Sequence, residues 1–129
     1  MKRIILGLSV LLMLTQNGFA KNDAEWDKMI ANAPNNVWKQ IYRCNKATLN
    51  HKHTADVNIC LKAIDMQKAQ GVQEKDLHID YLNVGVLYEF SKKDYIKAYK
   101  YYMKSAKLGD TDAQRNLDIL CRKHSWVCK

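Results

Sequence analysis

Proline and glycine are scarce in this chain. Its 129 residues hold one Pro and five Gly, and Gly7 and Gly18 fall within an apolar leader. So few chain-breakers argue against a loop-rich or sandwich-like domain. No segment alternates apolar and polar residues as a half-buried strand does. No C-x-x-C pair occurs, which removes the usual frame of a zinc site or a thioredoxin-like redox centre. No block of five like charges is present, so a charged disordered arm is not expected. A Ser-His-Asp order, a Gly-rich phosphate loop and a carboxylate pair are also missing, and no enzyme activity is expected.

What is present begins with the leader. Lys2 and Arg3 precede an apolar run from Ile4 to Leu14, and Gly18-Phe19-Ala20 places small residues at the −3 and −1 positions. This pattern reads as a secretory signal peptide over residues 1–20, cleaved after Ala20. The run is shorter than the ~20 apolar residues a spanning helix needs, so no stable membrane insertion is expected after cleavage. Residues 21–129 then form one domain, as chains of about 100–150 residues usually do. Removing Lys2 and Arg3 from 21 basic residues leaves 19 against 13 acidic ones, a charge of +6. That surplus favours an acidic protein partner and does not by itself indicate nucleic acid. The localisation implied is periplasmic or secreted.

An exported chain with four cysteines suggests two disulfides, for which three connectivities exist. Local pairing favours Cys44–Cys60 and Cys121–Cys128. Cys44 and Cys60 lie at similar depths on two helices joined by the Asn50–His53 loop, which suits a bridge between antiparallel neighbours. Cys121 and Cys128 would stand about 10.5 Å apart on one unbroken helix. Their pairing therefore predicts a break near Lys123, with Trp126 and Val127 folding back to close the end of the domain.

Helical periodicity runs through the rest. Asp23 to Ala31 reads as a short helix. Pro34 is placed to open the next one, which reaches about Leu49 and buries Val37, Trp38, Ile41, Tyr42 and Leu49. Thr54 is placed to cap a helix carrying Val57, Cys60, Leu61, Ile64 and Met66, which stops at Gly71. Lys75 to Phe90 is apolar on most faces and is expected to lie between neighbours. Gly85 sits in its middle, where close approach of another helix would compensate its cost of about 1 kcal/mol. Asp94 to Leu108 is amphipathic. Lys93, Lys97, Lys100, Lys104 and Lys107 follow 4-3-4-3 spacing on one side, and Tyr95, Ala98, Tyr99, Tyr102 and Ala106 fall opposite. These lysines form either a solvated face or a basic ridge that docks an acidic partner. Gly109 ends the helix, and Thr111 is placed to cap the last one, with Ala113, Leu117 and Leu120 buried.

His51-x-His53 has no third ligand at a telling spacing, so neither metal nor cofactor is expected. His78 and Asp80, two apart on a helix, point to different sides. The tyrosines at helical spacing read as core rather than as a base-stacking platform, and no nucleic acid is expected.

The segment from Val84 to Leu117 reads Val84-Gly85-x-x-Tyr88, Asp94-x-x-Lys97-Ala98, Tyr101-Tyr102-x-Lys104-Ser105-Ala106-x-x-Gly109 and Ala113-x-x-x-Leu117. It resembles a Sel-one-like repeat, a relative of the tetratricopeptide repeat. Ser91-Lys92-Lys93 stands where that family has a Gly-rich turn, and Asp118 where a second unit would have its Gly. The resemblance implies an all-α fold of antiparallel helix hairpins stacked as a short, disulfide-stapled α-solenoid. Its best unit spans 82–117, with a C-terminal cap at 118–129. It also implies a concave protein-binding face built from first helices. On that face Asp80, Asn83, Leu87 and Asn116 would be contact residues, joined by Lys97, Lys100 and Lys104 of the ridge. The function implied is an exported protein–protein interaction module, foremost a periplasmic immunity protein that neutralises a type VI secretion toxin by binding. An envelope scaffold or a secreted host-interaction factor is the alternative, and a β-lactam-binding or hydrolytic enzyme comes third.

Overall fold

A computed structural model describes residues 23–32, 35–49 and 56–129, without the side chains of Asp23, Trp26 and Leu49. The leader at 1–20, Pro34, the His51 and His53 pair and the Thr54 cap lie outside the described residues. Among the described residues six α-helices follow one another: α1 (Asp23–Ala31), α2 (Asn36–Leu49), α3 (Asn58–Ala69), α4 (His78–Val86), α5 (Tyr95–Lys107) and α6 (Thr111–Lys123). Among the described residues there is no strand, and no helix is long and apolar enough to cross a membrane. Each helix packs on the next in sequence, and α4 also reaches α2.

Two disulfides fix the ends of this arrangement. Cys44 on α2 bonds Cys60 on α3 with a Cα separation of 4.7 Å, and both are fully buried. Around them Trp38, Ile41, Tyr42, Val57, Ala63, Ile64, Leu77, Tyr81, Val84 and Leu87 form the larger core. Cys121 bonds Cys128 across a Cα separation of 5.7 Å. That closure requires α6 to end at Lys123, where His124 leaves helical geometry and a 3₁₀ turn spans Ser125–Cys128. Trp126 does not close the domain as the sequence suggested: it is 59 % exposed. His124 takes that place, its ring stacked 3.8 Å from that of Tyr95 on α5. Chains that keep such bonds usually fold in an oxidising compartment.

Asn and Asp side-chain oxygens accept from backbone N–H groups at several helix starts. The Asn35 side chain accepts from the Trp38 N–H, so α2 begins at Asn36. Asp56 accepts from the Asn58 N–H, and α3 starts at Asn58. Asp110, not Thr111, caps α6 by accepting from the Ala113 N–H at 2.9 Å. Asp94 caps α5 through the Lys97 N–H. These acceptors satisfy donors that the first helical turn leaves free.

The expected single helix from Lys75 to Phe90 is three pieces. A 3₁₀ turn at Glu74–Leu77 leads into α4, and a π-helical turn at Leu87–Ser91 follows it. The chain then turns through Lys93 at φ +53°. Gly85 meets the expected close approach: a Cβ there would lie 2.5 Å from Tyr102 Cδ1 of α5. Tyr102, Ala98, Leu117 and Leu120 make the second core, shared by α5 and α6.

Candidate protein-binding surface

Helix α4 has no open face of the kind the repeat pattern implied. Its Gly85 side packs on α5, and its other side is covered by the stapled α2–α3 pair. Asp80, Asn83 and Leu87 are consequently 7 %, 8 % and 1 % exposed, and none is placed to touch a partner. This corrects the contact set expected on α4. The reason is tertiary: the pattern ranks faces of one helix but does not show that a second hairpin lies over the far one.

Each buried polar group has a local role instead. Asn83 donates to the Asn45 side chain at 2.8 Å, across from the buried disulfide. Asp80 takes a hydrogen bond from Gln67, but burial dominates and pushes its carboxyl up to about 6. Asn116 is half-buried and holds the Tyr102 hydroxyl, so it too belongs to packing. Tyr102 also donates to Glu89 at 3.1 Å, and burial raises the pKa of both groups.

Ser105, His78 and Asp110 converge, as no sequence pattern foretold. The Ser105 hydroxyl donates to the His78 backbone carbonyl at 2.6 Å, while His78 Nδ1 lies 2.7 Å from Asp110 Oδ2. The resemblance to a nucleophile–base–acid relay is superficial. The hydroxyl is not on the imidazole, Ser105 is fully buried, and the other Asp110 oxygen caps α6. The cluster ties the start of α4 to α5 and α6. Among the described residues, no group of three His, Cys, Asp or Glu could hold a metal ion.

The lysine ridge lies elsewhere. Lys97, Lys100 and Lys104 are exposed on α5. Tyr101 lies four residues after Lys97 and three before Lys104, on the same stripe. Its ring meets Tyr88 at 5.6 Å and Tyr81 at 6.3 Å between centroids, so α4, the π-helical turn after it and α5 share a row of three tyrosines. Lysines stand over this row. Lys97 Nζ lies 5.4 Å from the Tyr88 centroid, Lys100 Nζ 6.0 Å from that of Tyr101, and Lys104 Nζ 4.3 Å from that of Tyr81. Lys68, from α3, stands 5.9 Å from the Tyr81 centroid. Ammonium groups over ring faces are attracted by the ring quadrupole, worth about 0.5–1 kcal/mol each where exposed. The arrangement aligns four cations along one surface spanning three helices.

Two carboxylates border the row. Lys97 pairs with Asp94 at 3.9 Å. At the other end the Tyr81 hydroxyl donates to Glu74 Oε2 at 2.6 Å, and Lys68 Nζ lies 3.0 Å from Glu74 Oε1. The Tyr81 bond and then Lys68 hold the Glu74 carboxyl below its usual range. Lys68 is raised, first by Glu74. Tyr81 is pushed up to about 12, by burial first and by Glu74 second.

The sequence singled out the lysines and missed Tyr81, Tyr88, Tyr101, Lys68 and Glu74. The seven-residue interval from Tyr81 to Tyr88 and the placing of Tyr101 between two lysines carried a usable signal. Nothing local marks Lys68 or Glu74. Comparison of the chain with family models, with curated proteins and with solved structures finds no match.

Proposed function

We propose that this chain is an exported protein-binding module, a Sel-one-like helical repeat stacked as a short α-solenoid, that acts by covering a surface of another protein. The observation that carries the reading is the lysine–tyrosine row. It is a strip of one buried and two half-buried tyrosines with cations above them, and such strips suit an acidic, shape-complementary partner. The two disulfides accord with a periplasmic or secreted protein. The leading assignment is a periplasmic immunity protein that neutralises a toxin delivered by type VI secretion, through steric occlusion.

The test is genetic. Cells lacking the chain should be killed by toxin-delivering sister cells, and the wild-type gene should restore survival. A gene carrying Lys100→Glu and Lys104→Glu should restore it poorly. Equal survival with and without the chain would sink the immunity assignment, and full rescue by the double variant would remove the row as its working surface.

A further inference from the structure

Glu74 differs from the other carboxylates near the lysine–tyrosine row. Asp94 is committed to capping α5 through its backbone contact with Lys97. Glu74 caps nothing. It opens a four-residue 3₁₀ turn between α3 and α4, and its side chain is 52 % exposed. Its two oxygens are divided between two donors, Oε2 to the Tyr81 hydroxyl and Oε1 to Lys68. Lys104, over the Tyr81 ring, adds a second favourable charge.

The Tyr81 donor is held independently of Glu74. The Tyr81 ring is 2 % exposed and fixed in the larger core, so its hydroxyl keeps its position if Glu74 leaves. Lys68 reaches that hydroxyl and Lys104 lies over the Tyr81 ring, from two different helices. Removing Glu74 would leave the phenolic donor without its acceptor, with the Lys68 ammonium beside it and the Lys104 ammonium over the ring. Phenolic hydroxyls at partly buried sites normally find a partner. The exposed Lys68–Glu74 pair is of the weakly held kind, and swinging Glu74 aside requires no helix to move.

We propose that Lys68, Tyr81 and Lys104 form a carboxylate-binding subsite that Glu74 occupies in the free chain, and that an acidic side chain of a protein partner displaces Glu74 on docking. The subsite then forms one end of the lysine–tyrosine row. Further acidic residues of the partner meet Lys100 and Lys97 along α5. The ligand is an acidic polypeptide rather than a nucleic acid, because the row offers no open ring face for a base. Lysines stand over Tyr81, Tyr88 and Tyr101, and the rings pack on one another. It is a carboxylate site rather than a bidentate phosphate site because its donors are a hydroxyl and point charges, with no guanidinium fork.

The inference rests on the reading of the chain as a partner-binding module, and the two fail differently. The probe is a fluorescently labelled hexaglutamate peptide, titrated by anisotropy against the intact, disulfide-bonded chain at low salt. Replacing Glu74 should tighten binding, since the peptide no longer competes with an internal carboxylate. E74Q and E74A should each gain about two- to fivefold, the range for one exposed ion pair. Y81F and K104A should each lose a similar factor, and raised salt should weaken every variant. Y81F keeps the core ring, and unchanged thermal melting of the Glu74 variants verifies that folding is intact.

Hexaglutamate binding unaffected or weakened by both Glu74 variants overturns the subsite, as does absence of hexaglutamate binding to any variant. A (dT)12 oligonucleotide or phosphatidylglycerol vesicles gaining more than hexaglutamate from E74Q would overturn the choice of ligand. None of these results touches the immunity assignment, which the sister-cell killing assay decides alone.

Discussion

Gly85 and Tyr102 share one space. A methyl group at position 85 would lie 2.5 Å and 2.6 Å from two carbons of the Tyr102 ring, which is itself fully buried. Gly→Ala in a helix ordinarily gains about 1 kcal/mol. Here overpacking of about 1–3 kcal/mol should outweigh it. Gly85→Ala is therefore expected to lower stability, read as a reduced urea midpoint. Lys93 shows the reverse case. It adopts φ +53°, a left-handed conformation that costs a side-chain-bearing residue roughly 1 kcal/mol. Lys93→Gly should raise the midpoint, by up to about that amount. The chain makes this turn without glycine. Gly85 was legible in the sequence, because a mid-helix glycine needs a packing reason. The strain at Lys93 was not, since nothing in Ser91-Lys92-Lys93 shows which residue takes the positive φ.

The disulfides act between and within elements. Cys44–Cys60 joins α2 to α3 across a separation of 16 residues, and Cys121–Cys128 turns the chain back after α6 across seven. Loop-closure entropy assigns about 3 kcal/mol to the longer loop and about 2 kcal/mol to the shorter. Replacing Cys44 and Cys60 together by alanine should cost more than replacing Cys121 and Cys128, with denaturant titration as the measure. Burial sharpens the contrast, because Cys44 and Cys60 are 0 % exposed and anchor the larger core. Both pairings followed from sequence proximity. Helix termini were read less well. Thr111 looked like a natural opener, yet Asp110 holds the start of α6. Neighbouring polar residues compete for the same free N–H groups, and local sequence does not decide the winner.

Acidity acts on the whole molecule through Asp80. Its carboxyl titrates near 6 in the folded chain against 3.8 when free, because burial disfavours its charge. The folded state therefore holds a proton that the unfolded state releases between these values. The neutral form's advantage is complete below about pH 4 and is lost as pH rises through 6. At about 1.4 kcal/mol per pH unit, the gap amounts to roughly 3 kcal/mol. Glu89, also raised by burial, works in the same direction. Asp80→Asn should stabilise the chain at pH 7 and flatten its melting temperature between pH 4 and 6. A parent chain whose melting temperature rises steadily from pH 4 to 7 would contradict a dominant burial cost on the Asp80 carboxyl.

The sequence by itself determined that the chain is helical, which cysteine pairing is the local one and which face of α5 carries the lysines. These are consequences of period, capping and proximity, all local quantities. Only the tertiary structure decided which faces remain open. Docking the α2–α3 hairpin on α4 buried Asp80, Asn83 and Leu87. Crossing α4 with α5 aligned Tyr81, Tyr88 and Tyr101 beneath the lysines. Lys68 and Glu74 joined that row from elements far from α5 in sequence. A helical pattern states how residues are disposed about one axis. Which side faces solvent depends on what the neighbouring axes cover, and the packing of the other helices sets that.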